Sequence, residues 1–204
     1  IGGITNVSQI KINTYEKENL FAYDIAPGNC LIDEWIRKNS NKKFDFNGDI
    51  ASRGEVNNLI LNQTIDNFNI KDFKNSLDVK NFDISFTRGL NLEDGCATIT
   101  KYTAYLISEG LKKIDEINKL NTVNLYLCGG GRKNNTLIEN INEYLNNKKI
   151  NLKNIDEYEF DGDFIESQAF AYLAIRSYLG LPISYPNTTR TLKPISGGII
   201  EKNY

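Results

Sequence analysis

The chain has 204 residues, of which 40% are hydrophobic and 25% charged, proportions typical of a globular protein rather than a disordered one. Its net charge of −2 offers no basic surface for nucleic acid or an anionic membrane, and we expect neither as a partner. The sequence contains no histidine, which excludes histidine bases and histidine-ligated metals and leaves carboxylates, Lys, Arg and oxygen-ligated magnesium for any chemistry.

The cysteines bear on the expected location of the protein in the cell, and the first residues bear on its expected length. Cys30, Cys96 and Cys128 contain no CxxC pair, so we expect free thiols and a cytoplasmic location. No apolar stretch approaches the ~20 residues of a membrane-spanning helix. The sequence has no Met and opens within a strand-like segment, so we expect the natural protein to extend upstream of Ile1.

The first predicted elements are two β-strands followed by a short helix. Residues 1–13 are β-prone and alternating, and residues 20–25 read as the next strand of a hairpin or meander. Residues 30–37 have helical spacing. The apolar stripe of this helix consists of Leu31, Ile32, Trp35 and Ile36.

The middle of the chain is predicted to be turn-rich and then helical. Residues 38–54 are polar, and their acidic alternation around Gly48 is not a calcium loop, since the glycine comes too early and no Glu follows. A helix is predicted over residues 56–68, a long irregular stretch over 71–94, and the longest helix over 97–118. In the first of these helices, the residues expected to face inward are Leu59, Ile60 and Ile65.

The second half contains a predicted strand, glycine turn and helix in series. Residues 123–128 form an apolar strand, Gly129, Gly130 and Gly131 end it, and residues 136–145 have helical spacing after Asn134. Such a turn lies at the carboxyl end of a strand, where open α/β sheets bind ligands. A flexible tight turn without a ligand is the alternative.

A weak strand within residues 150–160 and a helix over 164–179 complete the prediction. This helix is expected to have Phe170, Leu173 and Ala174 along one side and to stop at Gly180. The order of elements predicts one α/β unit over residues 1–204, with a mixed sheet and helices on both faces. At its start, Gly2 and Gly3 with Asn6 are a candidate anion-binding nest.

Four of these motifs, in this order, resemble the anhydro-N-acetylmuramic acid kinase family across essentially the whole chain, but only the carboxyl-terminal half of that family. They are Ile1-Gly-Gly-Ile-Thr-Asn-Val-Ser8, Asp24-Ile-Ala-Pro-Gly-Asn29 before Leu31-Ile-Asp33, Cys128-Gly-Gly-Gly-Arg-Lys-Asn134 and Asp161-Gly-Asp-Phe-Ile-Glu-Ser-Gln-Ala-Phe-Ala171.

The resemblance implies one lobe of a sugar kinase with the actin-like ATPase (ribonuclease H-like) fold. Members cleave the 1,6-anhydro ring of anhydro-N-acetylmuramic acid with water and phosphorylate its 6-hydroxyl from ATP and Mg²⁺, recycling the cell wall. By position, Gly2, Gly3 and Asn6 match the second phosphate loop, and Gly129, Gly130, Gly131 and Asn134 match the adenosine loop. Asp24, Pro27, Gly28, Asn29 and Asp33 match the segment at the substrate or magnesium cleft. The implied partners are the sugar, ATP and an amino-terminal lobe, and a homodimer stays open.

The chain also departs from the family pattern. The first phosphate loop and the catalytic aspartate match nothing here, since they precede Ile1. Asn75 takes the place of a family Lys, Val79 that of an Arg, Asn47 that of an Asp and Arg190 that of a Gly. Two lost positive charges would weaken polyphosphate binding.

Three functions are consistent with the sequence. The first is a carboxyl-terminal kinase lobe that binds nucleotide but needs its amino-terminal lobe for turnover. The second is a pseudokinase remnant that folds without catalysis, and the third is a small nucleotide-binding domain of unrelated function. For Asp24 and Asp33, a role in capping or ion pairing around the following helix is the alternative to a role in the cleft. Arg132 and Lys133, beside the glycine turn, are candidates to face phosphate or adenine.

Overall fold

The first two strands pair as predicted in the computed structural model, which describes residues 1–10, 20–67, 76–114, 122–146 and 149–201. Strand β1 (Ile4–Ile10) runs antiparallel to β2 (Leu20–Pro27), with a register irregularity between Thr5 and Asn6. The predicted end of the first strand, residues 11–13, and the turn after it lie outside the described residues.

The second pair of strands is parallel and separate from the first. Strand β3 (Val123–Leu127) pairs with β4 (Ile150–Asn154) in register from Val123 opposite Ile150. The prediction of one mixed sheet is therefore wrong for the described residues, which form two two-stranded sheets. Ile1 joins the sheets only by backbone hydrogen bonds beyond the end of β3, too few to continue a ladder.

The hydrophobic core lies between β2 and the helices α1 (Cys30–Asn39) and α3 (Leu92–Lys112). The stripe predicted for α1 is buried in full. Trp35 donates from Nε1 to the carbonyl of Leu92 at 2.9 Å, which fixes α1 against the start of α3. Gly110 of α3 lies so close to β2 that an added Cβ would be 2.8 Å from Ile25 Cβ.

Helix α3 begins five residues before its predicted start at residue 97. Asn91 caps the helix by accepting from the Asp94 amide at 2.8 Å, and acidic Glu93 and Asp94 occupy the favourable first turn. Gly95 was expected to precede the helix but lies within it. The Trp35 ring packs where a side chain at residue 95 would project, which accounts for the glycine. The predicted end at residue 118 lies outside the described residues.

Helix α2 (Asn58–Asp66) is shorter than predicted and faces differently. Its start is set by Asn57, whose side chain accepts from the Ile60 amide at 3.1 Å. The prediction that Leu59 points inward is wrong, since Leu59 is 71% exposed whereas Leu61 is 3% exposed. Two residues span about 200° of helix, so both cannot face the core.

The remaining helices are α4 (Asn135–Leu145), α5 (Ile165–Tyr178) and α6 (Pro186–Thr189). Helix α4 buries Leu137, Ile141 and Leu145 at the predicted spacing. Phe170, on the predicted side of α5, is 64% exposed, and no residue of the helix is buried, so this side does not belong to the core.

The connections contain short 3₁₀ turns and a predicted helix stop. Gly180 follows α5 with φ of 66°, the left-handed conformation expected of a glycine stop. Among the described residues, no helix has the length and apolarity needed to cross a membrane. The 3₁₀ turns are Phe46–Gly48, Ala51–Arg53, Val79–Asn81, Ser85–Thr87, Gly130–Lys133 and Ile155–Tyr158.

Candidate functional site

The two predicted glycine segments meet at Ile1. The Ile1 amino group donates to the Cys128 carbonyl at 2.6 Å, and the Gly131 amide donates to the Ile1 carbonyl at 3.0 Å. A Cβ on Gly129, which has φ of 79°, would lie 2.6 Å from the Ile1 oxygen. The structure thus places the start of the chain and the turn after β3 side by side.

The Pro-Gly-Asn segment lies directly behind the first glycine segment. The amides of Gly28 and Asn29 donate to the carbonyls of Gly3 and Gly2, each at 2.8 Å. A Cβ on Gly28 would be 2.2 Å from the Gly2 oxygen, so glycine is required at this approach. The Gly129 amide also donates to the Gly162 carbonyl at 3.0 Å, so all four motifs are joined by backbone contacts.

A cavity of about 360 Å³ opens beside these glycines, within the size range of small-molecule sites. Four predicted site residues, Asn29, Asp33, Gly130 and Asn134, line it together. The complete lining consists of Asn29, Ile32, Asp33, Phe44, Asp45, Phe46, Asn47, Gly130, Lys133, Asn134 and Asp163.

Two carboxylates on one side of the cavity have different environments. Burial raises the pKa of Asp33; nearby Arg37 lowers it and Asp45 adds to the rise. The Asp45 carboxylate accepts from the amides of Ile50 and Ala51 at 2.8 and 3.0 Å. The Asp45 carboxylate therefore stabilises its own loop. Of these two carboxylates, Asp33 is the one that can contact a ligand.

Asn134 has a structural task at the edge of the cavity. Its side-chain oxygen caps α4 by accepting from the Leu137 amide at 3.0 Å, and only 5% of the residue is exposed. The turn at Gly48 packs on this cap, since a Cβ on Gly48 would be 2.4 Å from the Asn134 oxygen. Thr136 also donates to the Gly48 carbonyl at 2.9 Å. The cap thus positions the Phe46–Gly48 turn over the cavity.

Arg132, a candidate from the sequence to face phosphate or adenine, does not line the cavity. The residue is 5% exposed and donates to Asp156 at 2.9 Å, to Asp163 at 2.6 Å and to the Gly129 carbonyl at 3.0 Å. Lys133, at the cavity, also pairs with Asp163. The ion-pair cluster fixes the glycine turn to the segment that precedes α5.

The charges of this cluster are stabilised by one another. Hydrogen bonds from Arg132 and then Lys133 lower the pKa of Asp163 to about 2. Arg132 likewise lowers the pKa of Asp156, with help from the Gly162 amide. Burial alone would lower the pKa of Arg132, but its hydrogen bonds to the two carboxylates outweigh burial and raise it. All three groups are therefore ionised at neutral pH.

Other predicted site residues lie away from the cavity lining. Asp24 accepts from the Leu77 amide at 3.0 Å, and Asn6 lies opposite it in the β1–β2 register. The Pro27 carbonyl accepts from the Thr5 hydroxyl at 3.1 Å. These contacts hold the two strands and the segment after residue 75, so a role for Asp24 in the cleft stays a prediction.

Sequence reasoning missed the aromatic part of the site. Phe44 and Phe46 line the cavity although they are 53% and 64% exposed. Exposed aromatic rings at a cavity are typical of a surface that stacks on a planar ligand. The available signal was two Phe residues in a polar, turn-rich segment, where no core packing accounts for them.

Within the described ranges, no three Cys, Asp or Glu side chains are grouped to bind a metal ion. Magnesium at nucleotide sites usually needs one or two carboxylates, with phosphates and waters supplying the other ligands. Asp33 provides one such carboxylate.

Comparisons with known proteins agree with the motifs. A family model described as anhydro-N-acetylmuramic acid kinase matches residues 1–203. A relative of that name from Pelagibacter ubique is 48% identical over 206 residues, covering 100% of this chain and 54% of the relative. Relatives of the same name from Brucella canis and Rhizorhabdus wittichii are 35% and 34% identical, covering 98% and 99% of this chain and 52% and 53% of theirs. The chain spans about half the length of the curated relatives it matches.

Proposed function

The chain belongs to the anhydro-N-acetylmuramic acid kinase family, and on that basis we propose that it is the carboxyl-terminal, nucleotide-binding lobe of an ATP-dependent kinase of 1,6-anhydro-N-acetylmuramic acid. The complete reaction adds water across the anhydro ring and phosphorylates the 6-hydroxyl, in the cytoplasm, for cell-wall recycling. The fold proposed for the lobe is that of the actin-like ATPases, of which the α/β architecture is the observed part.

The observation that carries the proposal is the meeting of both glycine segments at Ile1, next to a cavity that Gly130 of the second segment lines. Gly2 and Gly3 are exposed beside the Gly129 turn, so backbone groups of both segments are within reach of one extended ligand. Gly130 has only Asn29 near the position of a Cβ, at 3.7 Å, which leaves its surface to the ligand. We assign phosphate to the first segment and adenosine to the second.

The cavity offers matching chemistry to the adenosine end. Phe46 and Phe44 provide aromatic surface for a base, since stacking of a base on an aromatic ring is worth about 1–3 kcal/mol. Lys133, which pairs with Asp163, borders the cavity next to Gly130. Asp33 would hold Mg²⁺, which neutralises phosphate charge when bound.

Catalysis is assigned to this chain only in combination with an amino-terminal lobe. Attack by water on the anhydro bond needs a positioned base, typically worth about 10²–10⁴-fold in rate. The family's catalytic aspartate matches no residue of this sequence, and Asp24 is hydrogen-bonded to the Leu77 amide. The partners proposed are therefore the sugar, ATP and that lobe.

The test is ADP release and sugar-phosphate formation by the purified chain, with and without an amino-terminal lobe from a relative. We expect no turnover by the chain alone and turnover when the lobe is supplied. Turnover by the isolated chain that Asp24→Asn abolishes would place the base here and overturn the assignment.

The second candidate is a pseudokinase remnant that no longer turns over. Val79, at a position where the family pattern has Arg, is 45% exposed in a 3₁₀ turn and brings no charge to a polyphosphate. Asn75, the other such position, lies outside the described residues. Binding of an ATP analogue without turnover in the two-lobe assay favours this candidate. Family membership sets aside a nucleotide-binding domain of unrelated function.

A further inference from the structure

Asp163 lines the cavity but has no role in the function proposed above. It belongs to the fourth sequence motif, residues 161–171, and lies just before α5. Its side chain is 46% exposed, so a ligand in the cavity can reach the carboxylate. The cavity therefore has an accessible carboxylate besides Asp33.

One guanidinium fixes Asp163 beside the glycine turn. Arg132 Nη1 donates to the Gly129 carbonyl at 3.0 Å and to Asp163 Oδ1 at 2.6 Å. The Gly129 amide also donates to the Gly162 carbonyl at 3.0 Å. Because side-chain and backbone contacts join the same two segments, the carboxylate is already in place when a ligand binds, which lowers the cost of ordering it.

The proposed nucleotide site has two ends on different parts of the fold. At one end, Gly129 meets the first glycine segment, since a Cβ on Gly129 would be 2.6 Å from the Ile1 oxygen. At the other end, the Phe46–Gly48 turn rests on the side chain of Asn134. A nucleotide with its phosphates at the first end and its base at the second has its ribose between them.

Asp163 is bound by the residues that separate these two ends. Arg132 and Lys133 stand in the sequence between the turn at residues 129–131 and Asn134. Both donate to the Asp163 carboxylate. The carboxylate therefore lies beside the middle of the site, where the ribose is expected.

The two bonds to Asp163 leave room for a ligand on both of its oxygens. Arg132 donates to Oδ1 and Lys133 donates to Oδ2. An ionised carboxylate has about four lone-pair sites, so each oxygen can accept one further hydrogen bond. Hydrogen bonds from the two cations lower the pKa of Asp163 to about 2, so at neutral pH the group only accepts.

The charges around Asp163 favour an uncharged donor. The carboxylate repels phosphate, and the Arg132 and Lys133 cations that already neutralise it repel a metal ion. A hydroxyl group meets neither repulsion, and carboxylates bind ribose hydroxyls in dinucleotide sites. We propose that Asp163 accepts a hydrogen bond from one or both hydroxyls of the nucleotide's ribose and so selects ribonucleotides over deoxyribonucleotides. This inference rests on the proposed function, which puts adenosine at residues 129–131.

The experiment compares ADP, 2′-deoxy-ADP and 3′-deoxy-ADP on the parent chain by titration calorimetry. We expect ADP to bind at least about tenfold more tightly than one or both deoxy forms, because hydrogen bonds to charged groups are the stronger ones. Asp163→Ala should bring the ratio of these affinities close to one. Arg132 keeps Asp156 and the Gly129 carbonyl as partners in this variant.

Asp156→Ala is the matched control, because it removes another carboxylate that binds Arg132 but does not line the cavity. It should keep the preference for ADP over the deoxy forms, even where it lowers the melting temperature. If Asp163→Ala does not fold, Asp163→Glu retains the charge beside Arg132 and displaces the carboxylate by one methylene. That variant should also reduce the preference.

Three results would overturn the inference. The first is equal affinity of the parent chain for all three nucleotides. The second is loss of the preference in Asp156→Ala as well, which would show that Asp163 acts only through the ion-pair cluster. The third is an equal loss of affinity for ADP and the deoxy forms in Asp163→Ala, which would put the contact elsewhere on the nucleotide. Failure of the parent chain to bind any of the three contradicts the proposed function itself, whereas binding of all three without preference contradicts this inference alone.

Discussion

The three consecutive glycines after β3 have different physical requirements. Gly129 needs its positive φ, and Gly131 lies where a Cβ would be 2.3 Å from the Ile1 side chain. Gly130 has neither constraint and lines the cavity. The sequence predicts a ligand-contacting turn here, but only the packing of Ile1 shows which glycine serves the ligand and which two serve the fold.

Replacement of Gly130 by Val should therefore separate binding from stability. The branched side chain projects into the cavity, so we expect the affinity for an ATP analogue to fall by about tenfold or more, roughly 1.4 kcal/mol, with little change in melting temperature. Calorimetry and thermal unfolding measure the two quantities. Gly131→Ala is the control, and it should lower the melting temperature because it meets Ile1. Equal affinity of Gly130→Val and the parent chain would exclude the adenosine assignment.

Among the elements, those with strong local signals were predicted well. Helices α1 and α4 bury the residues that their apolar spacing indicates, and the β1–β2 pair forms where alternation predicts it. The errors come from tertiary contacts that no local pattern shows. Gly95 falls outside the predicted helix, and only the Trp35 ring shows why glycine is needed there; the apolar residues of α5 predict a helix, but none of them is buried.

The position of Gly95 gives a test at this scale. Alanine is favoured over glycine in a helix by about 1 kcal/mol, but here its Cβ would be 2.1 Å from Trp35 Cζ2. We expect Gly95→Ala to lower the free energy of unfolding by about 1–3 kcal/mol, the usual cost of overpacking a core. Urea unfolding provides the measurement. Ser167→Ala, at an exposed position of α5, is the control and should cause no loss; an increase in stability for Gly95→Ala would contradict the close packing of α1 on α3.

At the scale of the whole molecule, only part of the site could be predicted from the sequence. Glycine and Pro-Gly-Asn segments carry local signals, and the structure brings them together. Phe46 and Asp163 reach the cavity through long-range contacts, the first through the Gly48 turn on α4 and the second through Arg132. Such residues carry no periodic pattern, so their place depends on how distant elements pack.

The aromatic wall supplies the test of that assembled site. Phe46→Ala should weaken binding of an ATP analogue by about 5- to 100-fold, the loss expected for one stacking partner of the base. Phe160→Ala removes a ring of similar exposure, 54% against 64%, that does not line the cavity, and it should bind as the parent chain does. Titration calorimetry compares the three proteins. Equal losses in both variants, or none in either, would remove the base from this wall.

The contact of Trp35 with Leu92 and Gly95 has a spectroscopic consequence. Trp35 is the single tryptophan of the sequence, is 5% exposed, and lies on the helix that also carries Asp33. When tryptophan is excited selectively, the fluorescence therefore reports the α1–α3 junction, and its maximum shifts to longer wavelength when water reaches the ring. Opening of α5 alone would not change the Trp35 fluorescence. A second tryptophan introduced by Tyr178→Trp would report on α5, and comparison of the two unfolding transitions would show whether α5 unfolds with the core or before it.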